Sequence, residues 1–168
     1  MESTAILQTE RLILREFIAA DAAHILALLN TPGWLEFIGD RNVHTIEQAE
    51  QAIEMTYRRS YQTHGFGFWA ICLKGDHTFI GMCGLVKRET LEHVDIGFAM
   101  LPDYVGQGYA YEAAQATLTY GRTVLQLPKI IGVCDPRNVA SRNLLQKLGL
   151  SFEKEIQWSD GEPTLLFS

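Results

Sequence analysis

The stretch Asp103-Tyr104-Val105-Gly106-Gln107-Gly108-Tyr109-Ala110 decides how this chain is read. It follows an apolar strand pattern over residues 93–100 and opens a long alanine-rich helix. Two glycines at such a junction let backbone approach a ligand closely. The first N–H groups of a helix have no intrahelical partner and attract anions. Strand, glycine turn and helix together predict a cradle for a pyrophosphate.

The nature of that pyrophosphate is narrowed by what the stretch lacks. A dinucleotide fingerprint needs G-x-G-x-x-G, and here Gly106-x-Gly108-x-x runs into Tyr111. No acidic residue follows about 20 positions on in a second strand, where a ribose would need it. The phosphate-loop pattern GxxxxGK[ST] is absent. On this motif alone, a glycine turn that merely makes a tight strand-to-helix connection stays open as an alternative.

Working outward, residues 11–16 read as a first strand. Asp21 is placed to cap a short helix through Leu29, ended near Pro32-Gly33. Thr45 and Gln48 have capping-box spacing for a second helix reaching about Gln62, stopped by His64-Gly65. Residues 66–73 and 78–86 predict two strands joined by a turn at 74–77. A fourth strand covers 92–100, where Val94, Ile96, Phe98 and Met100 alternate with Asp95, Gly97 and Ala99. The helix after the glycines carries a small-residue face of Ala110, Ala113, Ala114, Thr117, Gly121 and Val124. A fifth strand at 129–134, a helix at 138–148 stopped by Gly149, and a closing hairpin at 152–158 and 164–167 complete the chain. The expectation is one mixed α/β domain over residues 1–168.

Bulk properties exclude several classes. The 168 residues carry a net charge of −6, which argues against broad nucleic-acid binding and suits an amine substrate. No apolar run nears the roughly 20 residues of a membrane span. No basic stretch followed by an apolar run marks a signal peptide. Cys72, Cys83 and Cys134 sit in apolar, strand-like runs and read as buried thiols. The five histidines lack ligand spacing, so no metal site is expected. These features together point to a cytoplasmic protein. Exposed strand edges leave monomer and homodimer both open.

A second cluster, Asn138-Val139-Ala140-Ser141-Arg142-Asn143-Leu144-Leu145-Gln146-Lys147-Leu148-Gly149, also follows a strand. Together with the glycine segment it resembles the GNAT-type N-acetyltransferase superfamily, in particular its RimJ/RimL-like branch. Thr9-Glu10-Arg11-Leu12-Ile13-Leu14-Arg15 and the closing hairpin resemble that branch as well, so the likeness runs in order along nearly the whole chain. Three positions depart from the pattern: Asp103 stands where Gln or Arg is usual, Leu150 replaces a final aromatic, and Leu145 replaces a tyrosine acid common in the superfamily.

The resemblance implies a central, mostly antiparallel sheet, splayed between the fourth and fifth strands and flanked by helices. It implies acetyl transfer from acetyl-CoA to a primary amine. Phe98, Ala99 and Met100 match the stretch where the fourth strand bulges and a backbone N–H meets the thioester carbonyl. Gly106, Gln107, Gly108, Tyr109 and Ala110 would hold the pyrophosphate. Asn138 matches a residue that bonds pantetheine, although a plain helix N-cap explains it as well. Ser141 shares a helical stripe with Leu144, Leu145 and Leu148 and is the candidate acid, unless it only eases helix packing. Asp95 is the candidate base, or a strand carboxylate paired with a basic neighbour. Trp34, Glu36 and His44 fall in the segment that should form the acceptor pocket. A non-catalytic acyl-CoA-binding module is the alternative function, because the tyrosine is missing.

Overall fold

The computed structural model describes residues 3–168 and holds one eight-stranded sheet among them, ordered β1-β2-β3-β4-β5-β6-β8-β7. The strands are β1 (Ala5–Gln8), β2 (Leu12–Arg15), β3 (Phe68–Leu73), β4 (Phe79–Val86), β5 (Val94–Met100), β6 (Ile130–Cys134), β7 (Phe152–Gln157) and β8 (Pro163–Phe167). The helices are α1 (Ala22–Leu29), α2 (Pro32–Phe37), α3 (Ile46–Ala52), α4 (Arg59–His64), α5 (Tyr109–Thr123) and α6 (Val139–Lys147). Every neighbouring pair is antiparallel except β5 and β6, which are parallel and joined through α5.

Two cores lie on the two faces of the sheet. Leu12, Leu14, Trp69, Ile71, Leu85 and Ile96 meet Ala113, Ala114 and Leu118 of α5 and Leu145 of α6. Ala70, Cys72 and Met82 meet Ile25, Leu28, Trp34, Ala49 and Ile53 on the other face. The small face of α5 does what its composition predicts. A Cβ added at Gly121 would come within 2.7 Å of Ile130 and 2.9 Å of Leu85, so the helix rides close on the strands. Val124 is an exception, since it caps the helix and lies exposed.

Four further features depart from the sequence reading. β1 pairs with β2 as a short edge strand, which moves the fourth and fifth predicted strands to β5 and β6. Pro32 starts α2 instead of ending α1: it occupies the first turn while the Thr31 side chain accepts from the Trp34 N–H at 3.3 Å. Between α3 and α4 the chain stays helical through a wider π turn, Ile53–Arg58. Asp21 makes no side-chain cap to α1. Its carboxylate instead receives both terminal nitrogens of Arg15, each at 2.7 Å, and the Ile18 N–H at 3.0 Å. The two charges attract across a nearly dry site, and that pull exceeds what one cap bond would give.

Candidate active site

β5 and β6 are in register only at Val94–Ile130, Asp95–Ile131 and Ile96–Gly132. Beyond Ile96 the two strands part. The ladder from β5 to β4 continues in unbroken register to Met100, so the expected bulge is absent and the splay lies wholly on the β6 side. Leu101 N–H bonds to the Ile80 carbonyl of β4 at 2.9 Å. Main-chain polar groups alternate sides along a strand, so Ala99 also turns towards β4. Phe98 and Met100 turn theirs towards the open split.

The glycine segment sits at the mouth of this split. Gly106 and Gly108 have φ of +79° and +82°, the left-handed region that favours glycine. Gly108 is the residue before α5, and its carbonyl accepts the Glu112 N–H at 3.1 Å. The preceding amides of Tyr109, Ala110 and Tyr111 lack such a helical acceptor. With the positive end of a 15-residue helix behind them, they suit an anion. A cleft of about 260 Å³ opens here. Met100, Gly106, Gly108, Tyr109 and Ala110 form one wall, and Asn143, Leu144 and Lys147 of α6 form the facing one. Lys147 lies over the Tyr111 ring, 4.1 Å from its centre, and brings a cation to the cleft.

Of the nine residues expected to bind cofactor, Phe98, Ala99, Gln107 and Asn138 do not line this cleft. Gln107 turns its side chain back to the Asp103 carbonyl at 2.9 Å, which braces the loop from within. Asn138 caps α6 by accepting the Ser141 N–H at 3.1 Å. Ser141 is half-buried one turn before Leu144, outside the cleft walls. The tyrosine-equivalent Leu145 is buried, and its Cδ2 occupies the space that a Cβ on Gly132 would need. The side chain therefore fills the notch that this glycine leaves in β6, and no hydroxyl stands there.

Asp95 is 2 % exposed and receives Arg88 Nε at 3.0 Å. Burial pushes its carboxyl pKa up, and the neighbouring guanidinium opposes that shift only in part. Arg88 also lies over the Trp158 ring, 5.3 Å from its centre, and so links β5 to the end hairpin. Trp34 is buried in the core cluster against which Ala99 packs, and its indole N–H has no hydrogen-bond partner. Glu36 is tied to the loop after β6, because its carbonyl accepts from Arg137 Nη2 at 3.2 Å. Arg137 is itself held by Asp135 at 2.9 Å. His44 is exposed, with Asp40 Oδ1 3.2 Å from its Nε2.

Tyr104, Val105, Tyr111, Asn143, Leu144 and Lys147 also line the cleft, beyond the residues the sequence points to. Asn143 and Lys147 stand four apart in the quoted second cluster, a spacing that puts them on one helical face. Among the described residues no cluster of three metal-binding side chains occurs, and no helix is long and apolar enough to cross a membrane.

Comparison with known proteins agrees with this geometry. An uncharacterized N-acetyltransferase of Bacillus subtilis, YoaA, is 30% identical over 162 residues, 94% of this chain and 91% of that protein. An acetyltransferase from Agrobacterium tumefaciens superposes with a TM-score of 0.82 at 23% identity, covering 99% of this chain and 93% of the other. RimL, a ribosomal L7/L12 alpha-N-protein acetyltransferase solved in complex with coenzyme A, superposes with a TM-score of 0.79 at 15% identity, over 97% and 96% of the two chains. Residues 11–151 match the acetyltransferase (GNAT) domain, and with the split sheet and glycine cradle already described, this chain belongs to the GNAT acetyltransferase family.

Proposed function

We propose that this acetyltransferase takes its acetyl group from acetyl-CoA and passes it to a primary amine, on a protein N-terminus or a small molecule. The observation that carries the reading is the cleft at the open end of the β5–β6 split, bounded by the left-handed glycines and unpaired amides of the α5 N-terminus. That shape suits a pyrophosphate joined to an extended arm. The pyrophosphate would take the amides of 109–111, with Lys147 as a nearby cation. Pantetheine would lie against the main chain of Phe98 and Met100 as an added strand. The Asn138 side-chain oxygen is engaged in capping, which leaves its NH₂ group for a pantetheine carbonyl.

In the reaction, the amine lone pair attacks the thioester carbon, a C–N bond forms and the C–S bond breaks. A Phe98 or Met100 amide would hold the carbonyl oxygen as it gains charge. We assign the proton lost by nitrogen to Asp95, whose burial raises its proton affinity towards a working base. We assign protonation of the departing thiolate to Ser141, whose hydroxyl is replenished from solvent. Trp34, Glu36 and His44 are the proposed acceptor contacts. The tie between Glu36 and the loop after β6 supports placing that region beside the split.

Acetyl-CoA at about 100 times its dissociation constant should stabilise the protein by roughly 2.7 kcal/mol. For a chain of this length that is about 5–11 °C in Tm. No shift in folded protein would overturn the donor assignment, and a shift with NAD alone would favour a dinucleotide site. Release of free CoA in the presence of a panel of amines and peptides then tests turnover. Binding without release from any of them would favour the acyl-CoA-binding module.

A further inference from the structure

The turn between β1 and β2 reaches across the sheet edge to the glycine loop. The Thr9 hydroxyl donates to Glu112 Oε1 at 2.6 Å, and the Arg11 N–H donates to the same oxygen at 2.9 Å. Arg11 Nε donates to Glu112 Oε2 at 2.7 Å, and Arg11 Nη1 donates to the Gln107 carbonyl at 3.1 Å. The guanidinium lies over the Tyr109 ring, 4.3 Å from its centre. Its Nη2 would be 3.3 Å from a Cβ on Gly108. One side chain, about a hundred residues away in sequence, thus engages Gln107 in the loop and Tyr109 and Glu112 in the first turn of α5.

Glu112 sets the electrostatic problem. It is an acidic side chain in the first turn of α5, the turn whose amides would hold the pyrophosphate. An unpaired carboxylate there would repel that ligand and could compete for the same donors. The Thr9 and Arg11 contacts consume both of its oxygens and direct them towards the β1–β2 turn. Burial alone would push the Glu112 pKa up, yet those contacts hold it below the usual carboxylate range. Arg11 thereby cancels the one acidic group in the first turn of α5 and pins the Gln107 carbonyl outward. With that carbonyl turned out, the loop can present its amides to the cleft.

We infer that Arg11 is a positioning residue for the acyl donor: it acts through Gln107 and Glu112 to hold the glycine loop in its anion-binding form, and Thr9 assists it. The inference rests on the acetyl-CoA reading of the cleft. A planar fork is needed to serve a carboxylate and a carbonyl together, which lysine cannot do.

The test is titration calorimetry with coenzyme A, paired with steady-state kinetics, on wild type, Arg11→Ala, Arg11→Lys and the double variant Arg11→Ala/Glu112→Gln. Arg11→Ala should raise the Kd for coenzyme A tenfold or more and raise the KM for acetyl-CoA in parallel. Its kcat at saturating donor should stay within threefold, and the KM for amine should not move. Arg11→Lys should fall between wild type and Arg11→Ala. Removing the orphaned carboxylate in the double variant should recover part of the lost affinity. A purely structural arginine would lower Tm and leave Kd alone. Folded Arg11→Ala with a Kd within twofold of wild type overturns the inference. If Arg11→Ala does not fold, Arg11→Lys decides, and an unchanged Kd there overturns it. If wild type itself does not bind coenzyme A, the cleft assignment fails first, and the clamp falls with it.

Discussion

Gly108 offers a direct test of the cradle, and Gly106 supplies its control. Both hold left-handed backbone, at φ +82° and +79°. An L side chain forced into that region costs about 1–2 kcal/mol. For a chain of this size that is about 2–8 °C in Tm, and alanine at either position should show it. The surroundings separate the two. A Cβ at Gly106 meets nothing within 4 Å, whereas one at Gly108 comes within 3.3 Å of Arg11 Nη2. Gly108→Ala should therefore lose at least as much Tm as Gly106→Ala. Gly108→Val drives an isopropyl group against Arg11 Nη2 and should push aside the loop amides that would meet a phosphate. Losing one charge-assisted hydrogen bond costs about 1.5–3 kcal/mol, or about ten- to hundredfold in Kd. Scanning fluorimetry gives the first quantity and calorimetry with coenzyme A the second. A folded Gly108→Val that binds coenzyme A within twofold of wild type would refute the reasoning and place the anion site elsewhere.

Ser141→Ala keeps the α6 cap, which uses only the Ser141 backbone N–H. If the hydroxyl protonates the thiolate, kcat should fall by about 10²–10⁴ with donor affinity unchanged. A kcat within threefold, with chemistry rate-limiting, would leave that proton to water. Asp95→Asn should lower kcat at neutral pH if the carboxylate is the base, and a loss of Tm with kcat intact would make it a strut for Arg88. Arg15→Ala strands the Asp21 carboxylate, whose side chain is 5% exposed, and should cost about 3–5 kcal/mol in urea unfolding at pH 7. Burial raises the Asp21 pKa, but Arg15 and the Ile18 amide outweigh it, and the folded pKa lies below the ordinary value. That contribution is present above about pH 3.9 and lost as pH falls through the lower folded pKa. Wild type should therefore shed stability in acid faster than Arg15→Ala does; parallel pH profiles would count against the pair.

Much of the frame was legible because its signals are local. Alternation along 94–100, small residues along α5 and the glycine pair each follow from neighbours in sequence. The Asn138 cap and the turn at Gly149 are legible for the same reason. What escaped depends on contacts far apart. Ala5–Gln8 is too short to show a period and becomes a strand only by pairing with β2. Pro32 reads equally well as a stop for one helix or the start of the next, and Thr31 decides between them. Asp21 has cap chemistry, but Arg15 claims it from six residues away. In the site, the glycine wall was visible and the α6 wall was not. Lys147 and Asn143 look like ordinary exposed helix residues until folding brings them opposite the loop. The supporting role of Arg11 could not be read at all, because Glu112 lies about a hundred residues downstream.

The register between β5 and β6 has a mechanical consequence. Five strands lie on one side of that seam and three on the other, and among the described residues the backbone ladder across it is three pairs long, from Val94, Asp95 and Ile96. The backbone ladder at this seam is shorter than the one between β4 and β5, while the shared core and α5 hold the two sides together. Opening the seam breaks few backbone bonds, so amide exchange on the β6 side of β5 should report a looser boundary than the centre of either half. A ligand laid into the split as an extra strand would bridge the two halves with bonds the protein does not supply. If the acyl donor lies there as proposed, its binding would stiffen the seam, and its loss would relax it again.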